Sequence, residues 1–129
     1  MDFREDKHHS FVRSVGFALK GIRTSFQERN MKIHVMAGIL AIAAGIALSI
    51  SLVEWLFILT CIAGVIALEM VNTAIEKVVD LVTGDYHVLA EKAKDLAAGA
   101  VLVYAIYAAA VGLIIFLPKM IDILYAFWK

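Results

Sequence analysis

The 129-residue chain is 62% hydrophobic and 19% charged and contains a single proline, against roughly 45–50% apolar residues in soluble domains. The length allows one modest domain, and the apolar excess excludes an ordinary water-soluble enzyme. Twelve Lys plus Arg balance twelve Asp plus Glu, so no net basic field favours a nucleic-acid partner.

The start, MDFREDKHHS, is charged and leads into no apolar core with a small-residue cleavage site, which argues against a signal peptide. Next, Phe11, Val15, Leu19, Ile22 and Phe26 recur three and four apart, with Arg13, Lys20 and Arg23 elsewhere on the wheel. This predicts an amphipathic helix over about 10–30, lying on the cytoplasmic membrane surface. Glu28 falls in the turn that follows, where the surface helix meets the first span.

Charge-free runs of 21 residues (33–53), 14 residues (55–68) and 23 residues (96–118) follow. At about 1.5 Å per residue the first and third make helices of roughly 30–35 Å, enough to cross a hydrocarbon core about 30 Å thick. The middle run crosses only by recruiting residues beyond Glu69. The expected fold is therefore an all-α integral membrane protein: one domain over 1–129, with the surface helix and transmembrane helices at 32–53, 54–82 and 91–118. Small residues at Gly38, Ala41 and Gly45, and again at Ala105, Ala108 and Gly112, read as close helix packing. Pro118 is expected to end the third span, with Tyr125 and Trp128 in an outer interfacial belt.

Ten basic residues (Arg4, Lys7, Arg13, Lys20, Arg23, Arg29, Lys32, Lys77, Lys92 and Lys94) flank one side of these spans, and two, Lys119 and Lys129, flank the other. That asymmetry places the N-terminus and the 77–95 connection in the cytoplasm. Cys61, the single cysteine, excludes a disulfide within one protomer.

The second span carries the chemistry. Glu69, Asn72, Glu76 and Asp80 are spaced three, four and four apart, which stacks them on one helical face. Measured from Trp55, Glu69 lies about 21 Å along the helix, still roughly 9 Å short of the far edge of the core. A carboxyl at that depth is costly, and an intramembrane acid is a functional hypothesis by default. Glu69 suits a general base, and Glu76, nearer the cytoplasm, forms with Glu28 a plausible ligand pair for Mg²⁺, a hard cation that takes a few carboxylate oxygens plus phosphate and water. A polar cluster that merely pins helices together, or a relay in a proton- or ion-coupled transport subunit, is also consistent with such a column.

The connection Thr83-Gly84-Asp85-Tyr86-His87 reads as a turn, and Lys94 and Asp95 stand at the start of the third span. Lys94 could meet a phosphate and Asp95 could hold Lys94 or a ligand hydroxyl, although snorkelling charges are common at span ends. No G-x-x-x-x-G-K-[ST] loop or kinase-type glycine loop occurs, and His8, His9, His34 and His87 lack zinc-site spacing.

In this order, E-x-x-N-x-A-I-E-x-x-V-D from Glu69 to Asp80, then Tyr86-His87, then A-K-D-x-A-A-G-A-V from Ala93 to Val101, the chain resembles the small bacterial integral-membrane lipid kinases of the diacylglycerol and undecaprenol kinase family. Lys20-Gly21 and Glu28-Arg29-Asn30 support the resemblance, which covers about residues 10–118. It implies ATP-dependent phosphorylation of a membrane lipid alcohol by a homotrimer with sites shared between protomers. It implies that Glu69 is the base, that Asn72 orients the reacting groups, and that Glu28 and Glu76 hold Mg²⁺. Arg13, Phe17, Asp85, Tyr86, His87, Lys94 and Asp95 would lie around the nucleotide. The stretches 28–34, 53–55 and 114–119 look more like the undecaprenol kinase branch, which favours undecaprenol over diacylglycerol as acceptor.

Overall fold

The computed structural model describes residues 11–128, which form four helices: α1 (Phe11–Ser25), α2 (Arg29–Ala47), α3 (Leu52–Val82) and α4 (Val88–Phe127). Arg4, Lys7, His8, His9, residue 10 of the expected surface helix, and Lys129 lie outside the described residues. Three of the helices, α2, α3 and α4, are long and apolar enough to cross a membrane.

The expected surface helix is α1, which stops at Ser25 instead of continuing to residue 30. Thr24 and Ser25 turn their hydroxyls back onto the carbonyls of Lys20 and Ile22, at 2.9 and 2.7 Å. The amides of Gln27 and Glu28 then donate to Thr24 and Ser25, at 3.1 Å each, closing a tight turn. That turn sets Glu28 at the N-cap of α2.

The first and second spans part earlier than the charge pattern suggests, at residues 48–51. Leu48 caps α2, and Ser49 takes the left-handed conformation at φ 48°. Ser49 N–H donates to Ile46 C=O and Ile50 N–H to Gly45 C=O, both at 3.2 Å, which is the hydrogen-bond pair of a Schellman motif. Ser51 and Glu54 at once open α3 with a capping box: Ser51 N–H donates to Glu54 Oε2 at 2.6 Å and Glu54 N–H to Ser51 Oγ at 3.3 Å. Gly45 is required here, because a Cβ would lie 2.8 Å from the Trp55 ring and 3.0 Å from Ile50.

Both helix pairs run antiparallel. Between α2 and α3, Gly38 meets Ile62 and Gly45 meets Trp55. Between α3 and α4, Tyr104 lies against Gly64 and Lys119 Nζ pairs with Glu54 Oε2 at 3.3 Å. The α3–α4 hairpin is the most extensive contact in the protomer. Core packing is thin: Ile50, Ile58 and Ile115 are buried, with Ala41, Trp55, Ile62, Val111 and Phe116 packed around them. Most large apolar side chains on the spans face outward, as a bilayer and partner helices permit.

Pro118 does not end α4, which runs on to Phe127. Proline removes one amide donor and crowds the carbonyl four residues back. Here Ile115 and Phe116 are held in the core cluster just before it, and Lys119 is tied to Glu54 just after it, so the helix carries through. The forty residues of α4 amount to about 60 Å, twice the thickness of a hydrocarbon core.

Candidate active site

Glu69, Asn72 and Thr73 are buried on α3, whereas Glu76 is half-buried and Asp80 exposed. The column thus runs from a dry end to a wet one. Asn72 Nδ2 donates to Glu76 Oε1 at 3.0 Å, and Asn72 Oδ1 is buried with no hydrogen-bond partner. A buried, unpartnered amide oxygen is expensive, and it stands here between two carboxyl-bearing turns.

The start of α2 closes the other side. His34 Nε2 stands 4.0 Å from Glu69 Oε2, and the side chains of Asn30, Glu28 and Glu76 also bear on that carboxyl. Glu28 accepts a hydrogen bond from Lys77 Nζ at 2.9 Å, which clamps the N-cap of α2 to α3. Glu28, expected to share a metal ion with Glu76, is held in place by Lys77. Among the described residues no three His, Cys, Asp or Glu side chains converge to hold a metal by themselves. The donor set nonetheless suits Mg²⁺, which takes one or two protein carboxylates and completes its shell with phosphate and water oxygens. The unpartnered Asn72 Oδ1 adds a hard oxygen to Glu28 and Glu76.

A second cleft of about 370 Å³ opens where α3 passes into α4, with Asp80, Thr83, Asp85, Tyr86, His87, Lys94 and Asp95 among its lining residues. Its shape is set by the turn. Thr83 Oγ1 accepts from Asp85 N–H at 3.3 Å and donates to Asp85 C=O at 2.9 Å, and His87 Nδ1 caps α4 by accepting from Leu89 N–H at 3.2 Å. Tyr86 donates its hydroxyl to Glu91 at 2.7 Å, a bond to the neutral phenol that pushes its ionisation upward. Lys94 pairs with Asp80 across the hairpin at 2.5 Å, not with its neighbour Asp95. One turn separates the two residues' registers on α3 and α4, and only the antiparallel pairing brings them together.

The structure thus sets Glu69, Asn72 and Glu76 along one face of α3 with Glu28 at the facing start of α2, and lines a separate cleft with Asp85, Tyr86, His87, Lys94 and Asp95, with Asp80 and Lys94 bridging α3 to α4. Arg13 and Phe17 lie on the exposed α1, outside the lining of that cleft. His34, Asn30 and Lys77 were not singled out by pattern, since each acts across a helix interface. A histidine inside an otherwise uncharged span was the available signal for His34.

The sequence that builds this arrangement matches known proteins. A family model described as prokaryotic diacylglycerol kinase matches residues 16–116. The chain belongs to that family. Its members' names agree on the chemistry: an undecaprenol kinase of Bacillus subtilis (strain 168) is 42% identical over 93% of this chain and 100% of its own length. A diacylglycerol kinase of Synechocystis is 39% identical over 86% of this chain and 65% of its own. A diacylglycerol kinase of Escherichia coli (strain K12) is 30% identical over 75% and 80%. As a member of this family the chain is a multi-pass membrane lipid kinase, and ATP is its phosphoryl donor. A transport subunit is set aside by that membership.

Proposed function

We propose that this kinase phosphorylates undecaprenol at the cytoplasmic face of the cell membrane, with Glu69 as general base. The observation that carries the mechanism is the Glu69 carboxyl, buried inside the long apolar helix α3 yet one and two turns from Asn72 and Glu76, which lead to water. A lipid alcohol reaches such a carboxyl from within the bilayer, while ATP reaches the wet end of the column from the cytoplasm. Phosphoryl transfer asks little covalent chemistry of the protein; it needs an in-line nucleophile and fixed, charge-compensated phosphates.

In this reading Asn72 orients the reacting groups, and Glu28 and Glu76 hold Mg²⁺. When bound, the cation offsets the negative charge of the phosphates. Asp85, Tyr86, His87, Lys94 and Asp95 form the nucleotide cleft, and Arg13 and Phe17 are assigned to the nucleotide from the family resemblance alone. Lys94 presents a cation there while Asp80 fixes its position. The basic asymmetry across the spans supports a cytoplasmic N-terminus and 83–87 turn. A homotrimer with shared sites accords with the outward-facing apolar surface and with a cleft that one protomer leaves open.

The choice of undecaprenol rests on the Bacillus subtilis relative, whose whole length this chain matches. Diacylglycerol, named for the other two relatives, is the competing acceptor. The deciding experiment incubates purified protein and Mg-ATP with each lipid separately and compares kcat/KM. A higher value for undecaprenol is expected; a higher value for diacylglycerol reverses the assignment, and no product from either removes it.

A further inference from the structure

His34 stands alone as a polar side chain in the interior of α2, among Val35, Ala37, Gly38 and Ala41. An ionisable group inside a span calls for a partner and a purpose. Its partner is Glu69, and the distance between them is informative. The 4.0 Å from Nε2 to Oε2 is too long for a direct hydrogen bond, which closes at about 2.7–3.2 Å. One oxygen atom placed about 2.8 Å from each subtends an angle near 90°, an acceptable geometry for bonds to both.

We propose that the lipid hydroxyl is seated between His34 Nε2 and Glu69 Oε2, donating to the carboxylate while accepting from the imidazole N–H. The proposal rests on the reading of Glu69 as base and adds a further catalytic residue to Glu69 and Asn72. The surroundings favour an alcohol with an apolar tail. His34 forms the polar end of a cavity of about 290 Å³ whose walls include Ala41, Cys61, Val65 and Ala108, and Val65 lies one turn from Glu69 on the same face of α3. Hydrocarbon is accepted on one side of the imidazole and a carboxyl waits on the other.

The step balances without a further reactant. The hydroxyl O–H bond breaks and its proton passes to Glu69 Oε2. The electron pair left on oxygen forms the bond to the γ-phosphorus of ATP. The bond from that phosphorus to the β–γ bridging oxygen breaks, and ADP departs with the pair. His34 keeps its proton throughout; its N–H offsets negative charge that develops on the attacking oxygen, the electrostatic role of a preorganised donor.

The test uses the full chain reconstituted in bilayers, with kcat and KM measured for lipid and for Mg-ATP. His34→Ala should lower kcat on the order of a hundredfold and hold KM for Mg-ATP within about twofold of the parent. His34→Gln, which retains an N–H donor, should recover most of that loss. In a Glu69→Gln background, His34→Ala should cost less than about threefold more, since both act on one hydroxyl. Unfolding temperature and elution volume check that each variant folds. A His34→Ala enzyme with parental kcat, or equal losses in His34→Ala and His34→Gln, overturns the proposal. If Glu69→Gln is inactive while His34→Ala is fully active, His34 alone is dismissed; if Glu69→Gln stays active, the base assignment falls first.

Discussion

The α3–α4 hairpin should be unusually sensitive at Gly64. A methyl group added there would overlap three atoms of the Tyr104 ring, Cζ, Cε1 and the hydroxyl oxygen, all closer than real Cβ contacts ever come. The ring cannot swing away freely, since its hydroxyl donates to Thr60 C=O at 3.3 Å and its edge meets Tyr107 with centroids 5.7 Å apart. Gly64→Ala must therefore push the helices apart or drive Tyr104 off its rotamer, and overpacking of this kind costs about 1–3 kcal/mol. The hydrogen bond to Thr60 would be lost with it, roughly 0.5–1.5 kcal/mol more. Tyr104→Ala removes the obstacle, so the double variant Gly64→Ala/Tyr104→Ala should be more stable than the sum of the single losses, by a coupling of about 0.5–3 kcal/mol. Reversible unfolding in mixed micelles, followed by circular dichroism on all four proteins, measures this. Neutral behaviour of Gly64→Ala, or additivity within about 0.3 kcal/mol, would refute the reasoning.

Glu69→Gln preserves size and shape and should lower kcat about 10²- to 10⁴-fold, the usual contribution of a general base, with unfolding temperature unchanged; a lipid-phosphorylation assay beside a thermal melt tests it, and retained activity sinks the assignment. Glu28→Gln and Glu76→Gln should each raise the Mg²⁺ concentration for half-maximal rate about tenfold, equivalent to roughly 1.4 kcal/mol, without moving KM for the lipid; Mg²⁺ titration at fixed ATP distinguishes this from a general loss. Ser51→Ala removes half of the capping box and should destabilise the fold by about 1 kcal/mol, while leaving kcat within about twofold; a loss of kcat with no loss of stability would contradict the purely structural role. Asp80→Asn should alter stability by less than about 1 kcal/mol, because the pair with Lys94 is well exposed, yet raise KM for ATP through a less ordered Lys94; an unchanged KM would show that Asp80 does not position it.

Much of this was legible in the chain. Helical periodicity disclosed α1, and three charge-free runs disclosed the three long apolar helices, because a bilayer leaves few other solutions. The acidic column was visible because three- and four-residue spacing maps directly to one face of one helix. What escaped were features that depend on two elements at once or on turn chemistry. The break at 48–51 lies inside an uncharged run, so counting charge carried the first span to residue 53. The S-x-x-E pattern of Ser51 and Glu54 was the better signal, since a capping box marks a helix start regardless of hydropathy. Pro118 misled for the opposite reason: a local rule about proline was outweighed by the contacts of Phe116 and Lys119 on either side. His34 beside Glu69 and Lys94 beside Asp80 required the antiparallel registers of two hairpins, which no single-helix pattern contains.

The turn at 48–51 sets one such register. His34 lies thirteen residues before the end of α2, and Glu69 seventeen after the start of α3, so both sit at the tips of lever arms about 20–25 Å long. At that length a tilt of one degree at the turn displaces a side chain by about a third of an ångström, and three degrees by about 1 Å. A loop is ordinarily where evolution and engineers insert residues at little cost. Here every backbone N–H of the connection is already committed to ending one helix or starting the next. Lengthening it would cost a cap as well as detune the distance between imidazole and carboxylate, so this stretch, remote from the site, is the protein's alignment screw.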